Sequence, residues 1–178
     1  MKKAFITKGF VLALATVVMS TATWAQGGTP ASPAATATGK TKNGATVTID
    51  YSSPGVKGRK IWGELVPYGQ VWRAGANKAT IFTTDKELKV EGKTLPAGKY
   101  SLYAVPGEKE WTIILNSQTG QWGIKMDGST TEDPAKDVLR VTVKPKKSKE
   151  FTERMTYVVS DKGFSLVWDN LEVPVEIK

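Results

Sequence analysis

Between Asp50 and Thr80 the chain gathers Tyr51, Arg59, Trp62, Trp72, Arg73 and Asn77 among five Gly and two Pro. Arginine, unlike lysine, offers a planar fork that matches a carboxylate or a phosphate. Indole and phenol faces supply stacking area for a sugar or a guanidinium. Gly and Pro fix turns and let backbone approach closely. These residue types in one turn-rich stretch point to binding of a small anionic or sugar-like ligand. The same residues have a structural use: each Arg can pair with Asp50 or Glu64 and tie the loop down, and Asn77 can cap it. The stretch alone does not choose.

Catalysis is narrowed by absence. The chain has no His and no Cys, so Ser-His-Asp and Cys-His triads and His-based zinc, iron or copper sites are excluded, as are disulfides. Three chemistries survive. A carboxylate pair suits glycoside cleavage, and Asp50 with Glu64 is the pair inside the stretch. Ser53 with Lys57 departs from the S-x-x-K spacing of Ser–Lys hydrolases, and Lys60 is not required to approach it. Asp127-Gly128, Glu132-Asp133 and Asp169-Asn170 offer oxygens for calcium, but without the alternation of an EF-hand loop. Loop solvation is the expected role of these acids, and no metal or cofactor is expected.

The elements that must position these residues read as strands. Ala45–Tyr51 alternates, with Val47, Ile49 and Tyr51 on one face. Further strands are expected at 59–62, 70–73, 79–84, 87–90, 99–105, 111–116, 120–124 and 138–144. A hairpin of 151–160 with 164–169 follows, then 171–177, whose Pro174 places it at an edge. Ile113 and Ile114 face opposite ways and both want burial. Only 131–137 has a helical composition. Short strands at regular spacing predict an all-β protein, a single antiparallel β-sandwich or jelly-roll-like domain over 41–178, with a closed barrel as the structural alternative.

The ends and the charge set the compartment. Residues 1–25 read as a signal peptide: Lys2, Lys3 and Lys8, an apolar run from Phe10 to Met19, and small residues at Thr23 and Ala25. That run is about half of what a spanning helix needs. Residues 26–40 read as a disordered linker. Removal of residues 1–25 takes three Lys from a net charge of +8, leaving +5. The basic run Lys144–Lys149 is expected to be a solvated loop, with contact to anionic lipid or polysaccharide as the alternative. An exported, periplasmic or extracellular protein of this charge is not expected to bind nucleic acid. Trp111 and Trp168 lie in dense strand patterns and are expected in the core. Trp62, Trp72 and Trp122 sit beside Gly or in irregular segments and are expected to be partly exposed.

Tyr51-Ser-Ser-Pro-Gly-Val-Lys-Gly-Arg59, Leu65-Val-Pro-Tyr-Gly69 and Val71-Trp-Arg-Ala-Gly-Ala-Asn77 resemble motifs of an exported bacterial family, domain of unknown function 2911. Leu95–Tyr103, Glu110–Asn116 and Gln121–Gly123 extend the resemblance, which is close over about 40–143. It implies a mostly β, exported domain and carries no established activity. Three roles stay open: a non-catalytic module for a small molecule, a glycan or an envelope partner; a structural or assembly protein; and a metal-free glycan hydrolase using Asp50 and Glu64. A transmembrane segment after residue 25 is not expected, and the sequence leaves the oligomeric state unspecified.

Overall fold

The computed structural model describes residues 30–178, so the expected signal peptide and the first residues of the linker lie outside it. The protein is all-β. Ten strands run β1 (Ala34–Lys40), β2 (Thr46–Ser52), β3 (Thr80–Thr84), β4 (Leu88–Val90), β5 (Lys93–Leu95), β6 (Gly98–Val105), β7 (Trp111–Asn116), β8 (Asp137–Val143), β9 (Lys146–Ser160) and β10 (Gly163–Glu176). Six form an antiparallel sheet in the order β1-β2-β3-β6-β7-β8. β9 and β10 form a long two-stranded ribbon, and β4 with β5 a small hairpin.

The core lies between the sheet and the ribbon. Alternation places Val47, Ile49, Phe82, Leu102, Ile113 and Val141 on the inner face, opposite Met155, Tyr157, Leu166 and Trp168. The central strands are covered on both sides, as the Ile113-Ile114 pair requires. Ile113 joins the main core, while Ile114 packs with Tyr103 and Ala79 on the other face. Val71 and Ala79, from either side of Arg73, pack on that second face and bring the chemistry-bearing stretch onto the sheet.

Several expectations need correction. Residues 34–40 of the expected linker form β1, paired with β2 along its whole length. Its Ala and Thr alternate too, but small residues carry little apolar signal. Thr36 donates to Asp50 at 2.6 Å, and a Cβ at Gly39 would stand 2.9 Å from Val159, so the smallness is what lets β1 pack on β9. The segments 59–62 and 70–73 are irregular, reduced to single bridges from Trp62 to Val66 and from Trp72 to Ala104, and 120–124 keeps only the bridge from Ile124 to Thr130. The expectation at 131–137, by contrast, holds: this segment of helical composition carries a 3₁₀ turn, Pro134–Lys136, capped by the Asp133 side chain.

The last correction concerns the ribbon. β9 begins at Lys146, so most of the basic run is strand rather than loop, with Lys146 paired to Glu172 at 3.2 Å. Backbone pairing to Leu171 and Glu172 sets this segment's register, and its exposed lysines leave no apolar alternation to read. β10 passes through irregular register at Asp169, whose φ is 55°, and absorbs the separate strand expected at 171–177. Pro174 falls just past Glu172, the last residue paired to β9, where a missing N–H costs no ladder bond.

Candidate functional site

Leaving β2, the chain is fastened to the ribbon before it turns out. Ser53 donates its hydroxyl to the Met155 carbonyl at 2.8 Å, and the Met155 amide donates to Pro54 at 2.9 Å. Lys57 and Gly58 then take positive φ, 49° and 67°, and reverse the chain. Arg59 folds back over this reversal. Its Nε donates to Val56 O at 3.1 Å and its Nη2 to Gly55 O at 2.6 Å, and Nη1 makes no hydrogen bond among the described residues.

Trp62 and Trp72 close the end of the sandwich. Trp62 stands edge-on to Trp111 at 5.0 Å and to Trp168 at 5.7 Å, while Trp72 stacks on Trp168 at 6.2 Å with planes 18° apart. Each such pair contributes about 0.5–1.5 kcal/mol beyond its burial. Both loop indoles are only partly buried, as expected, but their rings are spent largely on Trp111 and Trp168. Trp122 is 51 % exposed and stands outside this cluster.

Arg73 is held by strained backbone on one side and by a glycine on the other. Ala74, fully buried, has a φ of 51°, a region an L-residue occupies only when its surroundings enforce it. Its carbonyl accepts from Tyr157 and Thr80, both at 2.9 Å. The Trp72 indole donates to Gly75 O at 3.2 Å across the same turn. Opposite, Gly123 (φ 94°) lies so close to the Arg73 stem that a Cβ there would stand 2.7 Å from Arg73 Cβ.

The Arg73 guanidinium makes no ion pair among the described residues, and its Nη1 is buried without a hydrogen-bond partner. Burial holds its pKa below the ordinary arginine value, although the group stays charged. Arg73, Arg59 and Trp72 all border one cleft of about 370 Å³, whose wall also carries Ser32 and Gln70 among apolar residues. No Asp or Glu borders it. This volume lies at the small end of the roughly 300–1,000 Å³ of ligand pockets.

Three of the six candidate residues therefore meet at the cleft, and three do not. Tyr51 is core: its ring stands edge-on to Tyr157 at 4.9 Å, and its hydroxyl accepts from the Tyr157 amide. Trp62 lies behind the cleft in the indole cluster. Asn77, with φ 58°, is exposed and donates to Ser32 O at 3.2 Å, the loop-capping role. Two contributors were not singled out from sequence as cleft-forming. Trp168 borders the cleft from β10, and Gly123 shapes it from a loop distant in the chain. A Trp in a dense strand pattern gives no sign that it will border a cleft.

The acids are engaged elsewhere. Asp50 accepts from Thr36 on the outer face of the sheet, and Glu64 pairs with Lys60 at 3.1 Å in solvent. Neither borders the cleft, and neither holds Arg59 or Arg73. Asp127 accepts from the Ser129 amide and hydroxyl, and Asp133 caps its 3₁₀ turn. Glu132, nearly buried, takes the Arg140 guanidinium at 2.7 Å, and Asp137 takes its Nε. No three acids gather as a metal-ligand group among the described residues.

A family model matches residues 32–177, and its description is protein of unknown function, DUF2911. No curated protein and no solved structure matches the chain.

Proposed function

Since the chain belongs to the DUF2911 family of proteins of unknown function, we propose from the cleft itself that it is a non-catalytic domain that binds a small anionic ligand after export from the cell. One observation carries the reading: the Arg73 Nη1 is buried, has no acceptor among the described residues, and belongs to a residue bordering a cleft without acidic residues. A buried charged donor left unpaired is costly, and an anion in the cleft would remove that cost. Arg59, exposed at the same cleft, adds a second positive group. Export is supported by the Lys-rich start and short apolar run of residues 1–25.

The test is a thermal-shift screen of the purified protein against organic acids, phosphates, sulfated and neutral sugars, and nucleotides. A ligand that binds the native state raises Tm by mass action. An anion that stabilises the native protein and not Arg73→Gln supports the reading. A screen in which anions give no shift sinks it.

A structural role has its own support in the Trp62–Trp72–Trp111–Trp168 cluster, which seals the sandwich whatever the cleft holds. On that reading Arg73→Gln would cost stability equally with and without every anion.

A further inference from the structure

Arg73 is not the only residue bordering this cleft that has a buried donor without an acceptor among the described residues. Trp168, 1 % exposed, also borders it, and its indole Nε1 has no partner among the described residues. In the same indole cluster, the Nε1 groups of Trp62 and Trp111 are also without partners among the described residues. Buried N–H groups of native proteins are overwhelmingly paired; among the described residues four such donors, on Arg73, Trp62, Trp111 and Trp168, lack partners, and the unpaired buried acceptor Gln121 Oε1 meets none of them. The larger groove beside β8 and β10 differs. None of the unpaired buried groups borders it, and its charges are of both signs, with Lys146 and Lys178 paired to Glu172 and Glu176.

The remainder of the cleft wall sets the body of the ligand. Leu65, Pro67, Val71 and Ile124 are apolar, Trp72 joins them, and Ser32 and Gln70 are the uncharged polar residues of the wall. A phosphate brings about two charges and three oxygens, and typically draws on a nest of backbone N–H groups or a helix N-terminus. A wall whose uncharged polar side chains are only Ser32 and Gln70 would strip much of its remaining hydration without replacing it. A carboxylate brings one charge and two oxygens, which one guanidinium nitrogen and one indole N–H can satisfy.

We propose that the occupant is a monocarboxylate with an apolar body. Its oxygens are taken by Arg73 Nη1 and Trp168 Nε1, and its aryl or alkyl part lies along Leu65, Pro67, Val71 and Ile124. This rests on the anion-binding reading above and narrows it to one chemical class.

Phenylacetate, its neutral isostere phenylacetamide, and inorganic phosphate are the probes. Their affinities are measured by titration calorimetry, with the indole N–H resonances followed by NMR and Trp168 assigned through Trp168→Phe. Phenylacetate is expected to bind at least about tenfold more tightly than either comparison ligand. It should move the Trp168 N–H resonance, lose about tenfold or more in affinity in Arg73→Gln, and recover part of it in Arg73→Lys. Phosphate binding as tightly as phenylacetate, with the same dependence on Arg73, overturns the carboxylate class and leaves the anion site standing. Phenylacetamide binding equally well overturns the role of charge. No binding by either anion overturns both. If Arg73→Gln does not fold, the Trp168 resonance in the native protein decides, and one unmoved by bound phenylacetate overturns the assignment.

Discussion

The Tyr157 hydroxyl donates to the Ala74 carbonyl at 2.9 Å, which joins the middle of β9 to the residue after Arg73. Burial, and then the neighbouring Tyr51, push the Tyr157 phenol well above its ordinary pKa, so it remains a donor wherever the protein is folded. Thr80 is the second donor to the same carbonyl. The left-handed Ala74 backbone is held by this pair, and Arg73 inherits its direction from it.

Tyr157→Phe removes one of the two donors and leaves the ring in place. The expected loss is about 1 kcal/mol of stability, since a carbonyl with one remaining partner is not orphaned. In urea unfolding the midpoint should fall with the m-value unchanged. An unchanged midpoint would mean that Thr80 holds the turn alone.

Gly123→Ala and Gly120→Ala separate two costs of losing a glycine. Both residues have positive φ, 94° and 89°, so both variants meet the backbone penalty of about 1 kcal/mol. Only at Gly123 does the new methyl group collide, with Arg73 Cβ and Cδ at 2.7 and 2.9 Å, whereas nothing lies within 4 Å at Gly120. Gly123→Ala should be the more destabilising by about 1–3 kcal/mol, the usual range for overpacking, and should displace Arg73. Equal unfolding midpoints for the two variants would refute the contact.

Trp62 and Trp122 look alike in sequence, each followed by Gly, but stand in opposite environments. Trp62→Ala should cost about 3 kcal/mol, at the low end for an aromatic deletion because the ring is only partly buried. Trp122→Ala, at 51 % exposure, should stay within about 0.5 kcal/mol. Chemical denaturation of the two variants measures the contrast, and similar losses would contradict the indole cluster as the closure of the sandwich.

Two carboxylates give stability opposite pH dependences. Burial, and then Asp137, raise the Glu132 pKa above its ordinary value of 4.5, against the pull of Arg140. The fold therefore favours protonated Glu132. That contribution is complete below pH 4.5 and is lost as pH rises through the elevated folded value. Asp85 accepts from the Thr46 amide at 2.7 Å, which lowers its pKa below 3.8. Its contribution is present above pH 3.8 and is lost as pH falls through the depressed value. Glu132→Gln should flatten the decline of Tm above pH 4.5, and Asp85→Asn the decline below pH 3.8. An unaltered Tm–pH curve in either variant rejects the corresponding shift.

The sequence by itself determined the all-β class and most of the central strands, because the face a strand residue occupies depends on local parity. Val47, Ile49 and Leu102 show this, as do Ile113 and Ile114, whose opposite faces both proved buried. It also marked Arg59, Trp72 and Arg73, since planar cations and rings among glycines are unusual for plain core. β1 escaped because Ala35, Ala37 and Gly39 carry little apolar signal, and their smallness has meaning only once Val159 lies against them. Tertiary structure alone decided which arginine is left unpaired, that Tyr51 is core, and that Trp168 borders the cleft. Those outcomes depend on where β9, β10 and the Gly123 loop pass relative to residues 51–77, and local alternation says nothing about contacts between segments so far apart in the chain.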